Sequence, residues 1–352
     1  MELTVEQIAD LVNTTLTNLG RAKVTDLTSD LQEYTAMSQI MRENRVTFDD
    51  GKSISFNFVT GDNGQAKNTG LFAVDDVNVN DVETTGSVPW KHNTTNYAYD
   101  RREMEMCSGA SQIVNLIKIR RMAGMISFAK LYEDNWWGGA PLTGDTSTPF
   151  GIKYWVVKNA VAGFTGTPAS GTLANAAGCG GLSDTAYPRW KNYAAPYTAI
   201  SKEDLVRAWR KAATMTLFKP PIDKDMPASY NTGDKYAYYV NYNVYGPLEE
   251  MLETQNDNLG NDIASKDGEP VFHRRPITYV PYLDDDSDDP VYGLNWGEFK
   301  IVFLQGEYFR EDPPEKAPNQ HTVVRVNVDC TGNTVLHNRR RCFVLSKGTT
   351  NN

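Results

Sequence analysis

Apolar and polar positions along the chain change rhythm several times, and each change marks a segment. Residues 1–45 carry apolar side chains at helical spacing, first Val5, Ile8, Leu11 and Val12, then Leu27, Leu31, Tyr34, Met37, Ile40 and Met41. That spacing predicts two amphipathic helices with a break near Gly20. Their stripes are thin, so they need an outside surface to pack on. Period-two alternation then takes over. Arg45-Val46-Thr47-Phe48 and the run Ser53 to Val59 flank Asp49-Asp50-Gly51, which predicts a hairpin. The polar stretch GDNGQAKNTG (61–70), Leu71-Phe72-Ala73-Val74 and VNVNDVETTGSVPWKHN follow. Strands with so few core-grade side chains bury little apolar area alone, so this segment is expected to project or to cover another subunit.

From Ser108 to Trp137 the pattern is helical and free of proline. Thirty residues make a rod of roughly 45 Å. Its apolar residues, Ile113 to Leu131, surround the axis instead of forming one stripe, which predicts contacts on several sides. Gly138-Gly139 ends it. Trp136 and Trp137 at that end, followed after a loop by the strand-like stretch Tyr154-Trp155-Val156-Val157, fit a bound substrate, a packed corner or a surface that meets further copies of the chain. Residues 140–200 are rich in Gly, Ala, Thr and Pro and read as long loops around short strands. A helix opening at Ser201 is expected to bury Leu205, Ala208, Trp209, Ala212 and Met215. Tyr236 to Val240 reads as a strand, and a short helix is expected from Pro247 to about Leu259. VFHRRPITYVPYL reads as a strand pair, with further strands at Phe299 to Leu304, Thr322 to Val328 and Cys342 to Leu345. The order lacks a βα rhythm, so the fold class is α+β.

Composition narrows the function. Of 352 residues 40% are hydrophobic and 22% charged, enough for a core. A net charge of −9 argues against a protein that coats phosphate backbones, though not against a container for nucleic acid. No stretch approaches the ~20 apolar residues of a membrane span, and no signal peptide is visible at the start, so no membrane partner is expected. Cys107, Cys179, Cys330 and Cys342 lie far apart and read as reduced structural thiols, the mark of a chain folded inside a cell.

The chemical motifs are mostly missing. Neither a phosphate loop nor Gly-x-Gly-x-x-Gly after a strand is present, and His-Glu-x-x-His and Gly-x-Ser-x-Gly are absent. His92, His273, His321 and His337 stand apart and read as ordinary histidines. LDDDSDDP, Asp284 to Asp289, has the carboxylates for a hard cation, but its spacing does not match the calcium loop and it reads as a solvated turn. Arg339-Arg340-Arg341 is the basic counterpart. Pairing with acidic surfaces of a neighbouring subunit is the preferred reading, with phosphate contact the other. No catalytic, cofactor or metal residue is assigned, and no enzyme activity is expected.

Several longer stretches point one way. SFAKLYEDNWWGGAPLTGDTSTPFGIKYWVVKN with YPRWKNYAAPYTAISKEDLVRAWRKA resembles a group of major capsid proteins from tailed bacteriophages. So do GPLEEMLETQNDNLGND, RRPITYVPYLDDDSDDPVYGLNWGEFKIVF and HTVVRVNVDCTGNTVLHNRRRCFVL; together these run from about 108 to 345. The resemblance implies the Hong-Kong-97-type capsid fold. Residues 1–45 would be the amino-terminal arm and 46–100 the extended β-hairpin loop. Residues 101–219 would form the peripheral domain with its spine helix at 108–137, 220–312 the axial domain, and 313–352 the strands returning to the peripheral domain. Subunit-interface candidates are Phe56, Phe58, Lys67, Leu71, Phe72, Trp90, Trp136, Trp137, Arg339, Arg340 and Arg341, with the core as the competing place for at least one of the two spine tryptophans.

The resemblance also implies partners and place. The chain would assemble with itself into hexamers and pentamers that close an icosahedral head around double-stranded DNA. It would do so with a separate scaffolding protein and a portal, in the host cytoplasm, ending in the virion. Some members of the fold class join subunits by a lysine–asparagine isopeptide bond, and Lys67 stands near the place of such a lysine. No partner asparagine or assisting glutamate is identifiable, so the bond is not predicted. The rival readings are a carbohydrate-binding or carbohydrate-active protein, served by the 11% aromatic content, and another virion component such as a portal or tail protein.

Overall fold

The computed structural model describes residues 34–41, 46–61, 66–71, 83–106, 110–138, 141–142, 144–168, 178–217, 236–256, 271–273 and 275–348. The first of the two expected amino-terminal helices and most of the second lie outside these residues. In chain order the elements are α1 (Thr35–Ile40), β1 (Val46–Asp49), β2 (Ile54–Val59), β3 (Glu83–Val88), β4 (His92–Asp100), α2 (Arg101–Met106) and α3 (Ala110–Trp137). Then come α4 (Ile152–Trp155), β5 (Gly163–Gly166), β6 (Asn192–Pro196), α5 (Leu205–Thr216), β7 (Tyr236–Val240) and α6 (Tyr242–Asn256). The remainder is β8 (Val271–Phe272), β9 (Arg275–Tyr279), β10 (Val291–Asn295), β11 (Phe299–Leu304), β12 (Arg310–Glu311), β13 (Glu315–Lys316), β14 (Val323–Leu336) and β15 (Phe343–Ser346).

The 28 residues of α3 form the long rod expected from the sequence. It buries Ile117, Phe128, Tyr132, Glu133, Trp136 and Trp137, while Ile119 and Leu131 stay exposed. It runs along β4, where Gly124 faces Tyr97, and Arg120 donates to the Ala98 carbonyl at 2.9 Å. Near the other end the buried Glu133 carboxylate holds α1. It accepts from the Ala36 and Met37 backbone N–H groups at 2.8 and 2.7 Å and from Trp137 Nε1 at 2.8 Å. A carboxylate supplied from another helix thus satisfies the first-turn N–H groups that α1 cannot pair itself.

Among the described residues the strands form two large sheets and a ribbon. In the first sheet β14 is the common member. It pairs antiparallel with β4 over Val323 to Thr331 and with β11 over Gly332 to Leu336, while β1 lies parallel to β11 and β12 and β13 add to β14. The second sheet has the order β5-β6-β15-β10-β7-β9-β8. Every residue of β10 and β15 is buried. Both faces are covered, as uninterrupted apolar strands require. Leu205, Trp209 and Ala212 of α5 meet Tyr193, Tyr238 and Phe343 on one side, and Tyr239 and Tyr292 meet Trp137 on the other.

Four local expectations are corrected. Tyr154 and Trp155 end a single helical turn instead of starting a strand. Gly151 brings the chain so close to the end of α3 that a Cβ there would lie 2.4 Å from the Asn135 carbonyl oxygen, and the turn lets Tyr154 stack on Phe150 at 3.9 Å. The hairpin around Asp49-Asp50-Gly51 is not made. Gly51 at φ +117° carries the chain from the first sheet into the ribbon, where β2 pairs with β3, Ile54 to Val88 and Val59 to Glu83. Helix α6 starts at Tyr242, because Asn241 receives the Val244 N–H on Oδ1, and Pro247 falls inside the helix. The aspartate run is a solvated turn only in part, with Asp284 and Asp285 exposed. Asp286 is buried between Lys158, at 2.8 Å, and Lys153, at 3.1 Å, and Asp289 bonds Lys347 and Asn241.

The corner between β14 and β15 corrects the arginine run as well. Arg339 and Arg341 lie in the core of their own chain. The Arg339 guanidinium donates to the carbonyls of Trp155 and Trp190 at 2.8 Å and of Gly166 at 3.0 Å, and also meets Asn192 and Asp184. Arg341 pairs with buried Glu298 at 2.6 Å. Breaking a buried pair on one side leaves a stranded charge. Arg341→Met is therefore expected to lower unfolding free energy by roughly 3–5 kcal/mol in urea titrations, with most of it regained in Arg341→Met/Glu298→Leu. Equal losses in both variants would contradict this.

His337 at the same corner is pushed down to about 4 by burial first and Lys300 second. Between its ordinary 6.5 and about 4 the unfolded chain takes up a proton that the folded chain refuses. The stability carried by the neutral ring is thus present above that window and lost as pH falls through it. Burial raises Glu133 and Asp184, which act in the opposite direction, so the difference between variants is the readout. His337→Phe is expected to flatten the fall in Tm between pH 6.5 and 4 relative to the parent. Identical slopes would remove His337 from the account.

Candidate functional site: the ribbon and its groove

The ribbon of β2 and β3 has two unlike faces. Ile54, Phe56 and Val88 turn to the body and are buried, whereas Ser55, Asn57, Thr85 and Ser87 face out. Gly86 stands opposite Phe56 in register, and a Cβ there would lie 2.7 Å from the Phe56 ring, so glycine is what lets the ring lie across the partner strand. Phe56 meets Phe58 edge to face at 4.8 Å, and Phe58 meets Trp190 at 4.5 Å. The ribbon's base is fixed by Ser87 N–H to the Gly180 carbonyl at 2.9 Å. Gly180, at φ +64°, lies in a turn closed by Cys179 and Leu182. Val59 at the far end is 65% exposed.

Between the ribbon, β5, the loop before β6 and the end of α5 lies a groove of about 1050 Å³. Phe58, Trp190, Phe164, Met215 and Leu217 supply its apolar surface, and Arg189, Arg340, Arg341 and His337 its polar one; among the described residues no aspartate or glutamate lines it. The Arg340 guanidinium stands over the Phe164 ring at 4.3 Å. Burial and the charge of Arg189 lower its pKa. Among the described residues neither Arg189 nor Arg340 has a carboxylate partner.

The interface candidates separate accordingly. Trp136 and Trp137 are fully buried in their own chain, and Phe56 belongs to the ribbon's inner face. Trp90, half-buried, donates to the Gly51 carbonyl at 2.9 Å. Lys67 and Leu71 are exposed, Leu71 by 93%, and Phe72 lies outside the described residues. Of Arg339, Arg340 and Arg341, it is Arg340 that lines the groove with no acidic partner among the described residues. Sequence reasoning placed Met215 on the buried face of α5, but it is 52% exposed. Helical geometry sets it about 80° from Leu205, outside the stripe of Leu205, Trp209, Ala212 and Thr216. It also missed the exposed pair Phe48 and Tyr308, whose rings meet edge to face at 5.6 Å. Among the described residues no group of His, Cys, Asp or Glu is placed to hold a metal, and no helix is long and apolar enough to cross a membrane.

No family model matches the sequence, and no curated protein does. Solved structures do match. The capsid asymmetric unit of cyanophage A-1(L) is 16% identical with a TM-score of 0.59, covering 96% of this chain and 99% of that one. The capsid of a native GTA particle is 12% identical with a TM-score of 0.55, covering 94% and 95%. The capsid of Myoviridae phage XM1 is 11% identical with a TM-score of 0.51, covering 94% and 97%. Over nearly its whole length, the mixed helix and sheet of this chain thus has the phage capsid fold.

Proposed function

We propose that the chain is the major capsid protein of a tailed phage, a non-enzymatic subunit whose copies close an icosahedral head around double-stranded DNA. The carrying observation is the match to capsid subunits over nearly the whole of both chains. The ribbon supports it, because a two-stranded projection with a polar outer face suits contact with a neighbour better than a fold that stands alone. Within the expected extended loop, 46–100, the ribbon of β2 and β3 serves as the loop proper, α3 serves as the spine, and the described part of residues 220–312 as the axial domain. Repeated head-to-tail contacts of one chain give closed rings, here hexamers and pentamers, with interfaces on the order of 2,000 Å² or more. The net charge of −9 suits a wall that encloses DNA without holding it. A scaffolding protein and a portal complete the assembly, and the finished product is the virion.

Size-exclusion chromatography with negative-stain microscopy tests this reading. Shells, or rings of five and six, are the expected result, and a monomer that binds sugars would overturn it. Deleting residues 61–70 is expected to abolish shells while far-ultraviolet circular dichroism and Tm stay close to the parent. Unchanged shells would exclude the extended loop from assembly.

A further inference from the structure

The groove beside the ribbon reverses the charge of the molecule. The chain carries 44 acidic against 35 basic residues, yet among the described residues no carboxylate lines this groove. Arg341 is paired with Glu298, which leaves Arg189 and Arg340 on its wall with no acidic partner among the described residues. Arg340 is held in position. Its backbone N–H donates to Asn338 Oδ1 at 3.1 Å, and its guanidinium lies over the Phe164 ring at 4.3 Å. Burial and the charge of Arg189 lower its pKa, so an arriving anion would favour the charged form. The cationic track continues along α5, which carries Arg207, Arg210 and Lys211 and no acid. Arg207, Lys211 and Met215 are exposed and follow at four-residue steps, and Met215 lines the groove. Each step rises about 6 Å.

The apolar wall indicates what the anion belongs to. Phe58, Phe164 and Tyr187 are only partly covered, and Met215 and Leu217 are 52% and 46% exposed. A bare phosphate would meet the arginines and leave these side chains in water. Cations in a row beside rings, with the amides of Asn57 and Asn338 between them, suit an unpaired nucleotide strand. Such a strand lays its phosphates on the cations and stacks its bases on rings and guanidinium planes. A duplex keeps its bases turned inward and could use the cations alone. The groove's volume of about 1050 Å³ is at the upper end for one small ligand, and the track on α5 extends it further. We infer that the groove binds single-stranded nucleic acid, its phosphates on Arg340, Arg189, Lys211 and Arg207 and its bases against Phe58, Phe164 and Leu217. The site stands on this chain's own residues and does not depend on the assembly proposed above.

Fluorescence anisotropy tests it, with the full chain and a fluorescein-labelled oligothymidylate of about twelve nucleotides. Four cations on a single strand predict a slope of about −2.8 for log affinity against log salt. Arg189→Gln with Arg340→Gln is expected to weaken binding about tenfold or more at low salt and to reduce the slope to about −1.4. Phe58→Leu removes a ring and no charge; it is expected to weaken binding about fivefold or more with the slope unchanged. Lys316→Gln, an exposed cation on β13 of the other sheet, is expected to change affinity less than about twofold. Circular dichroism and Tm establish that each variant is folded.

An equal loss in Lys316→Gln would mean diffuse attraction to the surface and overturn the site. A duplex of the same length that binds as tightly would remove the bases from the account and overturn it too. Thymidine monophosphate that competes mole for mole would reassign the groove to a free nucleotide, and poly-glutamate that competes at equal charge would reassign it to an acidic peptide. Either result overturns the strand. Absence of binding at low salt would sink the inference and leave the capsid reading, which microscopy decides, where it stands.

Discussion

The described residues between Gly151 and Asn192 have little regular structure, and one buried cation ties them together. Arg339 reaches from the corner between β14 and β15 and gathers three backbone carbonyls from three separate segments, with Asn192 and Asp184 completing the set. A guanidinium presents five N–H donors in a rigid fork, so it can serve several orphan acceptors at once. Leaving those carbonyls dry would cost more than one hydrogen bond each returns. The turn that receives the ribbon, the aromatic wall of the groove and the start of β6 all follow from this arrangement.

Around that point the molecule repeats the same solution with other charges. Lys153 and Lys158 enclose Asp286, Arg341 encloses Glu298, and Glu133 holds the first turn of α1. Each pair joins segments far apart in sequence. Apolar packing alone would hold these loops less specifically, because it lacks direction. The polar core also explains why chain parts poor in regular structure keep defined places.

The long helix, most strands and the class of fold were legible in the sequence, since periodicity reports which side of an element is covered. The buried charges were not. LDDDSDDP and the arginine run have the local look of surface, and only partners distant in sequence, such as Lys158 for Asp286 and Trp155 for Arg339, turn part of them inward. The turn signal at Asp50-Gly51 was real, but Val46 found a parallel partner in Ile301 instead of a hairpin mate. Tyr154 and Trp155 sit in a short apolar run, where helix and strand look alike. Of the candidate interface residues, Phe58, Arg340 and Arg341 line the groove; more of its wall comes from segments around positions 164, 190 and 215, which no local pattern could unite.

Strand β14 has a mechanical meaning. Its fourteen residues extend about 48 Å, held by β4 along the first nine positions and by β11 along the last five. The connecting bonds lie across the strand axis. Tension along that axis loads them in shear, and they must fail together instead of unzipping singly. The strand is therefore a tie rod, stiffest along its own axis.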